Sequence, residues 1–129
     1  MELTDLKIMA RDPLVHIGSH SDSHVLFHEK QDRDFMVANL RRSRDLIQKE
    51  WKLNAHPTFC YPNGDHHVHS GKLCADAGYP MSFVTNSGFV GKRTDPQFIP
   101  RFWLSTPRRT LIICAFALFG NKALKMVGR

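Results

Sequence analysis

A chain of 129 residues is long enough for one domain with a real core and well short of the roughly 250 residues of a closed eight-stranded β/α barrel. With 42% hydrophobic and 23% charged residues and no repeated or low-complexity segment, the composition excludes a disordered or fibrous chain. Of the net charge of +6, all is carried by residues 96–129, where Arg101, Arg108, Arg109, Lys122, Lys125 and Arg129 face no acid; residues 1–95 balance 12 Lys and Arg against 12 Asp and Glu.

Residues 3–10, with Leu3, Leu6 and Met9 or Ala10 on one side, predict a short amphipathic helix stopped by Asp12-Pro13. Leu14 to Gly18 is a short β-like run ending at glycine. From about Asp32 to Trp51, Met36, Leu40, Ile47 and Trp51 keep helical spacing, while Arg41, Arg42, Arg44 and Lys49 are expected to face out. Pro57 to Tyr61 suits a buried strand, and Pro62-Asn63-Gly64-Asp65 a turn whose Asn-Gly pair tolerates positive φ. Residues 67–77 suit a helix closed by Gly78, with Gly71 as its weak point.

Met81 to Thr85 predicts a third strand and Arg101 to Leu104 a fourth, and Pro107 is placed to open a last helix through about Phe119. Domain organisation follows: residues 1–105 as one α/β unit, and 106–129 as a basic, partly apolar helix packed on it or extending from it. Alternation of helices with short apolar strands implies mainly parallel pairing, which gathers ligand sites at strand carboxyl ends.

Three scattered cysteines, Cys60, Cys74 and Cys114, give no sign of a disulfide framework or a CxxC metal site. Met1 leads into Glu2 and Asp5 and not into a basic and apolar leader, so no export signal is read here and localisation stays open. The longest apolar run, Leu111 to Phe119, is far below the roughly 20 residues of a membrane span. The basic end is open to two readings, a solvated helix with one buried face or docking on an anionic membrane surface. Nothing suggests nucleic-acid binding, since base-reading motifs and stacking platforms are missing.

His20 and His24 in Gly18-Ser19-His20-Ser21-Asp22-Ser23-His24 are four residues apart, so one helical turn would bring both imidazoles to one ion. Spacing alone is weak evidence, because His16, His20, His24 and His28 make three consecutive such pairs. His66, His67 and His69 offer a second cluster, read as exposed helix-start histidines or, less directly, as a second metal site.

Val15 to His24, Phe59-Cys60-Tyr61-Pro62-Asn63-Gly64-Asp65, Ala77-Gly78-Tyr79 to Thr85, and Ile99-Pro100-Arg101 together resemble the polysaccharide deacetylase family, the NodB-homology domains of carbohydrate esterase family 4. The match runs in order over roughly residues 3–104 and includes Leu3 to Ala10 as the helix ahead of the histidine motif. This resemblance implies a metal-dependent hydrolase removing acetyl groups from an acetylated polysaccharide or oligosaccharide, on an incomplete or deformed β/α barrel.

It also implies site roles. His20 and His24 would hold a divalent metal, commonly zinc, leaving positions open for water and the acetyl oxygen. The Asn63 backbone N–H would stabilise the oxyanion, and Tyr61 and Pro62 would shape the acetyl pocket. Ser21 would hold the histidine turn, Gly64 would let the backbone turn sharply, and Asp65 would orient a partner or cap the helix behind it. Such proteins often work in the cell envelope or outside the cell.

The resemblance breaks at the family's "TFDDG" strand, which supplies the catalytic base and the aspartate ligand. Only 19 residues precede His20, and their acids, Glu2, Asp5 and Asp12, belong to the first helix or lie just after it. Asp22, between the histidines, is expected to point away from their ion. No histidine follows His69 to act as a general acid, and Cys60 replaces the arginine of the third motif. Two readings remain: a piece of a longer enzyme, or a divergent member that binds metal or glycan without hydrolysis. Without the first strand a sheet edge would be open, to be covered by a homo-oligomer or by the apolar tail.

Overall fold

The computed structural model describes residues 2–27, 32–53 and 57–103. The helix expected from Pro107, the basic end and His28 lie outside the described residues.

Helix α1 spans Leu3–Met9, and the Asp5 carboxylate accepts the Glu2 N–H (2.8 Å), satisfying a free donor at its start. Its apolar side is not buried: Ile8 is 64% exposed, and Leu6 is only half-buried. Helix α2 covers Arg33–Asp45. Asp32 caps it by accepting the Phe35 N–H (2.7 Å), and Met36, Val37, Leu40 and Ser43 form its buried stripe. One π turn, Leu46–Glu50, extends it, closed by the Trp51 N–H on Leu46 O (2.8 Å). The helical reading from Asp32 to Trp51 therefore corresponds to two hydrogen-bonding registers, the wider of which is rare and favoured where a helix must bulge.

Strand β1 (Thr58–Cys60) and strand β2 (Met81–Phe83) pair in parallel, Phe59 opposite Ser82. Single parallel bridges extend the sheet on both sides, Ser19 with Phe59 and Phe83 with Ile99. In place of the strand expected over Leu14 to Gly18, the chain joins the sheet only at Ser19, whose N–H donates to Thr58 O and whose O accepts the Cys60 N–H, both at 2.8 Å. The fourth strand is likewise displaced: pairing falls at Ile99, ahead of Arg101, and Leu104 lies outside the described residues. Order across the sheet is thus Ser19, β1, β2, Ile99, all parallel, so every carboxyl end points to one side.

Helix α3 (Ser70–Asp76) makes the crossover from β1 to β2 and packs on α2. Gly71, a poor helix residue by propensity, is required by contact: a Cβ there would lie 2.8 Å from the Phe98 ring and 2.9 Å from Gln97 Cβ. Arg41 and Arg44 do not simply face solvent. Arg41 Nη2 donates to Asp76 O (3.0 Å) and the half-buried Arg44 to Ala77 O, so two cations of α2 meet the free carbonyls ending α3.

The core consists of Phe27, Met36, Leu40, Phe59, Tyr61, Leu73, Cys74, Ala77, Tyr79 and Val84, with Val37 at its border. Phe59, with no exposed surface, stabilises by about 1.5–3 kcal/mol relative to an exposed ring. Its neighbours Phe27, Tyr61 and Tyr79 surround it at centroid distances of 5.2 to 5.5 Å among themselves and to it. Buried hydroxyls are all partnered: Tyr79 donates to Leu40 O (3.0 Å), and Ser19 and Ser43 bond each other between sheet and helix. Among the described residues no helix is long and apolar enough to cross a membrane.

Candidate active site

Two polar turns leave the sheet on its carboxyl side. The first follows Ser19. Ser21 and His24 both take left-handed backbone angles, φ 69° and 53°, which non-glycine residues adopt at a cost and which tend to gather at functional sites. Three hydrogen bonds hold this turn. Ser21 Oγ accepts the Val25 N–H (2.9 Å), and Asn39 of α2 accepts the Asp22 N–H (3.0 Å) while donating to Ser23 Oγ (2.8 Å).

His20 and His24 are exposed, and their ring centroids lie 5.0 Å apart at 70°. His20 Nδ1 is 2.8 Å from Cys60 O. A carbonyl only accepts, so Nδ1 carries the proton and Nε2 keeps its lone pair outward, the tautomer that backbone-anchored metal histidines use. Two imidazoles sharing an ion at about 2.0–2.1 Å in tetrahedral geometry place their centroids about 5 Å apart, so the pair fits a divalent metal. Among the described residues no group of three His, Cys, Asp or Glu side chains could hold an ion. The pair therefore offers half of a coordination shell, and His66, His67 and His69 do not form a second site.

The acids ahead of the turn are engaged locally. Asp5 caps α1, and Asp12 accepts the Leu14 N–H (2.9 Å). A groove of about 260 Å³ opens beside His20, lined by Leu6, Ile17, Asp22, Leu46 and Trp51 among others. The π turn of α2 forms one of its walls.

The second turn follows β1. Pro62–Gly64 make one 3-10 turn, with Asn63 at φ 55° and Gly64 at φ 77°. The Gly64 N–H returns to Tyr61 O (2.9 Å) and the Asp65 N–H to Pro62 O (3.0 Å), while the exposed Asn63 N–H has no acceptor among the described residues. Gly64 is obligatory here, because a Cβ would also meet Thr85 Oγ1 at 2.0 Å.

Tyr61 is only 1% exposed, so its ring does not reach an acetyl group as expected. Its hydroxyl donates to Gln97 O (3.1 Å) and accepts from Cys74 Sγ (3.5 Å). Burial drives the Tyr61 hydroxyl pKa up, with the neighbouring Cys74 adding to it, and pushes the Cys74 thiol up to about 11. Pro62 is also buried. Both residues act by fixing Asn63 from beneath. Nor does Asp65 cap the following helix: His69 occupies that position, with no side-chain cap bond.

One residue that the sequence reading left unassigned links the turns. Arg101 places Nη1 3.7 Å from Cys60 Sγ, donates from Nε to Val84 O (3.1 Å), and sets its guanidinium 5.9 Å from the Phe83 ring centroid. A cation thus stands beside the residue that replaces the motif arginine. Asn39 was missed too, although a polar side chain among Met36, Leu40 and Ser43 on a buried helix stripe is a usable signal for a polar partner.

Exposed imidazoles and a free backbone donor at the carboxyl ends of a parallel sheet define a hydrolase-like α/β site. Residues 2–82 match the family model for polysaccharide deacetylase, and the chain belongs to the polysaccharide deacetylase family. No curated protein sequence matches.

Solved structures share the fold. One is a de-N-acetylase from Aggregatibacter actinomycetemcomitans, with TM-score 0.64 and 17% identity over 79% of this chain and 47% of that one. The deacetylase domain of BpsB from Bordetella bronchiseptica gives 0.66 and 20%, over 78% and 48%. The Streptococcus pyogenes deacetylase PplD, solved in complex with acetate, gives 0.70 and 19%, over 86% and 49%. This chain spans about half the length of each, consistent with an incomplete barrel.

Proposed function

We propose that this chain carries the metal-binding half of a polysaccharide deacetylase site, acting on an acetylated amino-sugar polymer, with a divalent ion, zinc, held by His20 and His24. The observation that supports this most is the tether of His20 Nδ1 to Cys60 O beside His24 at 5.0 Å. Zinc there would polarise the acetyl carbonyl and lower the pKa of a bound water. The Asn63 N–H would donate to the acetyl oxygen as negative charge develops on it. Ser21 and Asn39 hold His24 in place, Tyr61, Pro62 and Gly64 hold Asn63, and Asp65 stays beside the turn as an orienting group.

Hydrolysis further needs a base and a third ligand. No carboxylate among the described residues joins the pair, so turnover is assigned to the site completed by a carboxylate from elsewhere, and metal and glycan binding without turnover is the reading for these residues alone.

Metal content after mild purification tests the proposal, comparing the unmodified chain with a His20→Ala, His24→Ala double variant. Near-stoichiometric zinc that disappears in the variant is expected. Zinc in neither protein would overturn the metal reading. Acetate release from acetylated glucosamine oligomers then separates hydrolysis from binding.

A further inference from the structure

Removal of an acetyl group requires nothing of the surface beyond the two turns, yet an aromatic patch is built beside them. Trp103 is 76% exposed, and Phe89 and Val90, on the loop after β2, are 51% and 65% exposed. The Phe89 and Phe102 rings lie 4.9 Å apart at 60°. Grouping of large exposed rings costs solvation and marks a contact surface more often than chance.

The patch is braced. The Arg101 N–H donates to Asn86 O (3.0 Å), and Gly88 lies against Pro100, where an added Cβ would be 3.1 Å from Pro100 Cβ. Both loops leave carboxyl ends of the sheet, on the side of His20 and Asn63. Arg101 touches Cys60, whose carbonyl holds His20. Trp103 follows Arg101 by two residues, which span at most about 7 Å of extended chain.

We propose that Trp103, with the Phe89 and Phe102 pair, binds a pyranose ring of the polymer adjacent to the sugar whose acetyl group sits at His20 and Asn63. This rests on the function proposed above and deepens it: the ligand is an oligomer and not a single acetylated sugar. A pyranose has a face of C–H groups and a rim of hydroxyls. Ring faces match the first, and the exposed Asn86, Ser87 and Arg101 beside them match the second. A lipid surface would call for apolar groups without interleaved amide and hydroxyl.

The test is a fluorescence and calorimetric titration with the pentamer of N-acetylglucosamine, in a Trp51→Phe background so that Trp103 is the sole tryptophan reporter. Saturable change in Trp103 emission is expected, with affinity falling at least tenfold in Trp103→Ala by calorimetry and the melting temperature unchanged. The monomer should bind at least tenfold more weakly than the pentamer. Equal pentamer affinity with and without Trp103, or no pentamer binding, overturns the proposal. So does a blue shift with anionic phosphatidylglycerol vesicles and none with the pentamer. Failure of the metal reading is separate: the chain lacking His20 and His24 would hold no less pentamer on Trp103, whereas zinc content reports only the histidines.

Discussion

The two turns on the carboxyl side of the sheet reach similar backbone conformations by different means. In the turn after Ser19 the groups that face solvent are side chains, His20 and His24, and three local hydrogen bonds from Ser21 and Asn39 hold the loop. In the turn after β1 the group that faces solvent is a backbone N–H at Asn63, and its support is a buried floor of Tyr61, Pro62 and Gly64. A site that works through side chains can be emptied without unfolding the protein. One that works through the backbone is inseparable from the core beneath it.

Substitution at Gly64 breaks the second turn most severely. Gly64→Ala forces a side chain into left-handed backbone and onto Thr85, and is expected to cost about 2–4 kcal/mol of unfolding free energy. Urea denaturation checks this, and pairing it with Thr85→Gly should recover part of the loss by relieving the clash while leaving the strain.

Alkali should also single out the second turn. The unfolded Cys74 thiol loses its proton near 9.0, whereas the native one, disfavoured as a thiolate by burial, holds it up to about 11. Between these values the unfolded state binds fewer protons, so stability falls as pH rises. For this one group the loss is about 2–3 kcal/mol. Denaturation midpoints of the unmodified chain and Cys74→Ala should therefore converge from pH 9 to 11, after correction for the cavity the substitution leaves. Parallel lines across that range would refute the account.

The smallest expected effect sharpens the contrast. Ser21→Ala removes the acceptor of the Val25 N–H and should cost about 1 kcal/mol, yet lower zinc occupancy by loosening His24. Stability and metal content measured on the same preparation would separate the two turns: a change in both of equal severity would mean that the first turn, too, is part of the core.

Much of this was legible along the chain. Asp32 ahead of a helical stripe marks the start of α2, and Asn63-Gly64 after Phe59-Cys60-Tyr61 marks a turn at a strand end. Both depend on short-range chemistry, capping and positive φ. Likewise the alternation of strands and helices, the parallel sheet and the family motifs containing His20, His24 and Asn63 are properties of local order and spacing.

The rest depends on which atoms meet across the fold. Nothing near Gly71 in sequence announces that Phe98 will press on it, and Arg44 looks like any outward arginine until Ala77 O arrives from α3. Tyr61 sits among the site residues of its motif, but packing against Phe27 and Phe59 takes its ring inside. Arg101 is forty-one positions from Cys60 and joins it only because Ile99 pairs beside β2. Sequence alone determined the elements and the identity of the exposed donors, because these follow from a few neighbouring residues. Tertiary structure decided which groups are buried, paired or free to act, because burial and hydrogen bonding are set by long-range contacts that local spacing does not encode.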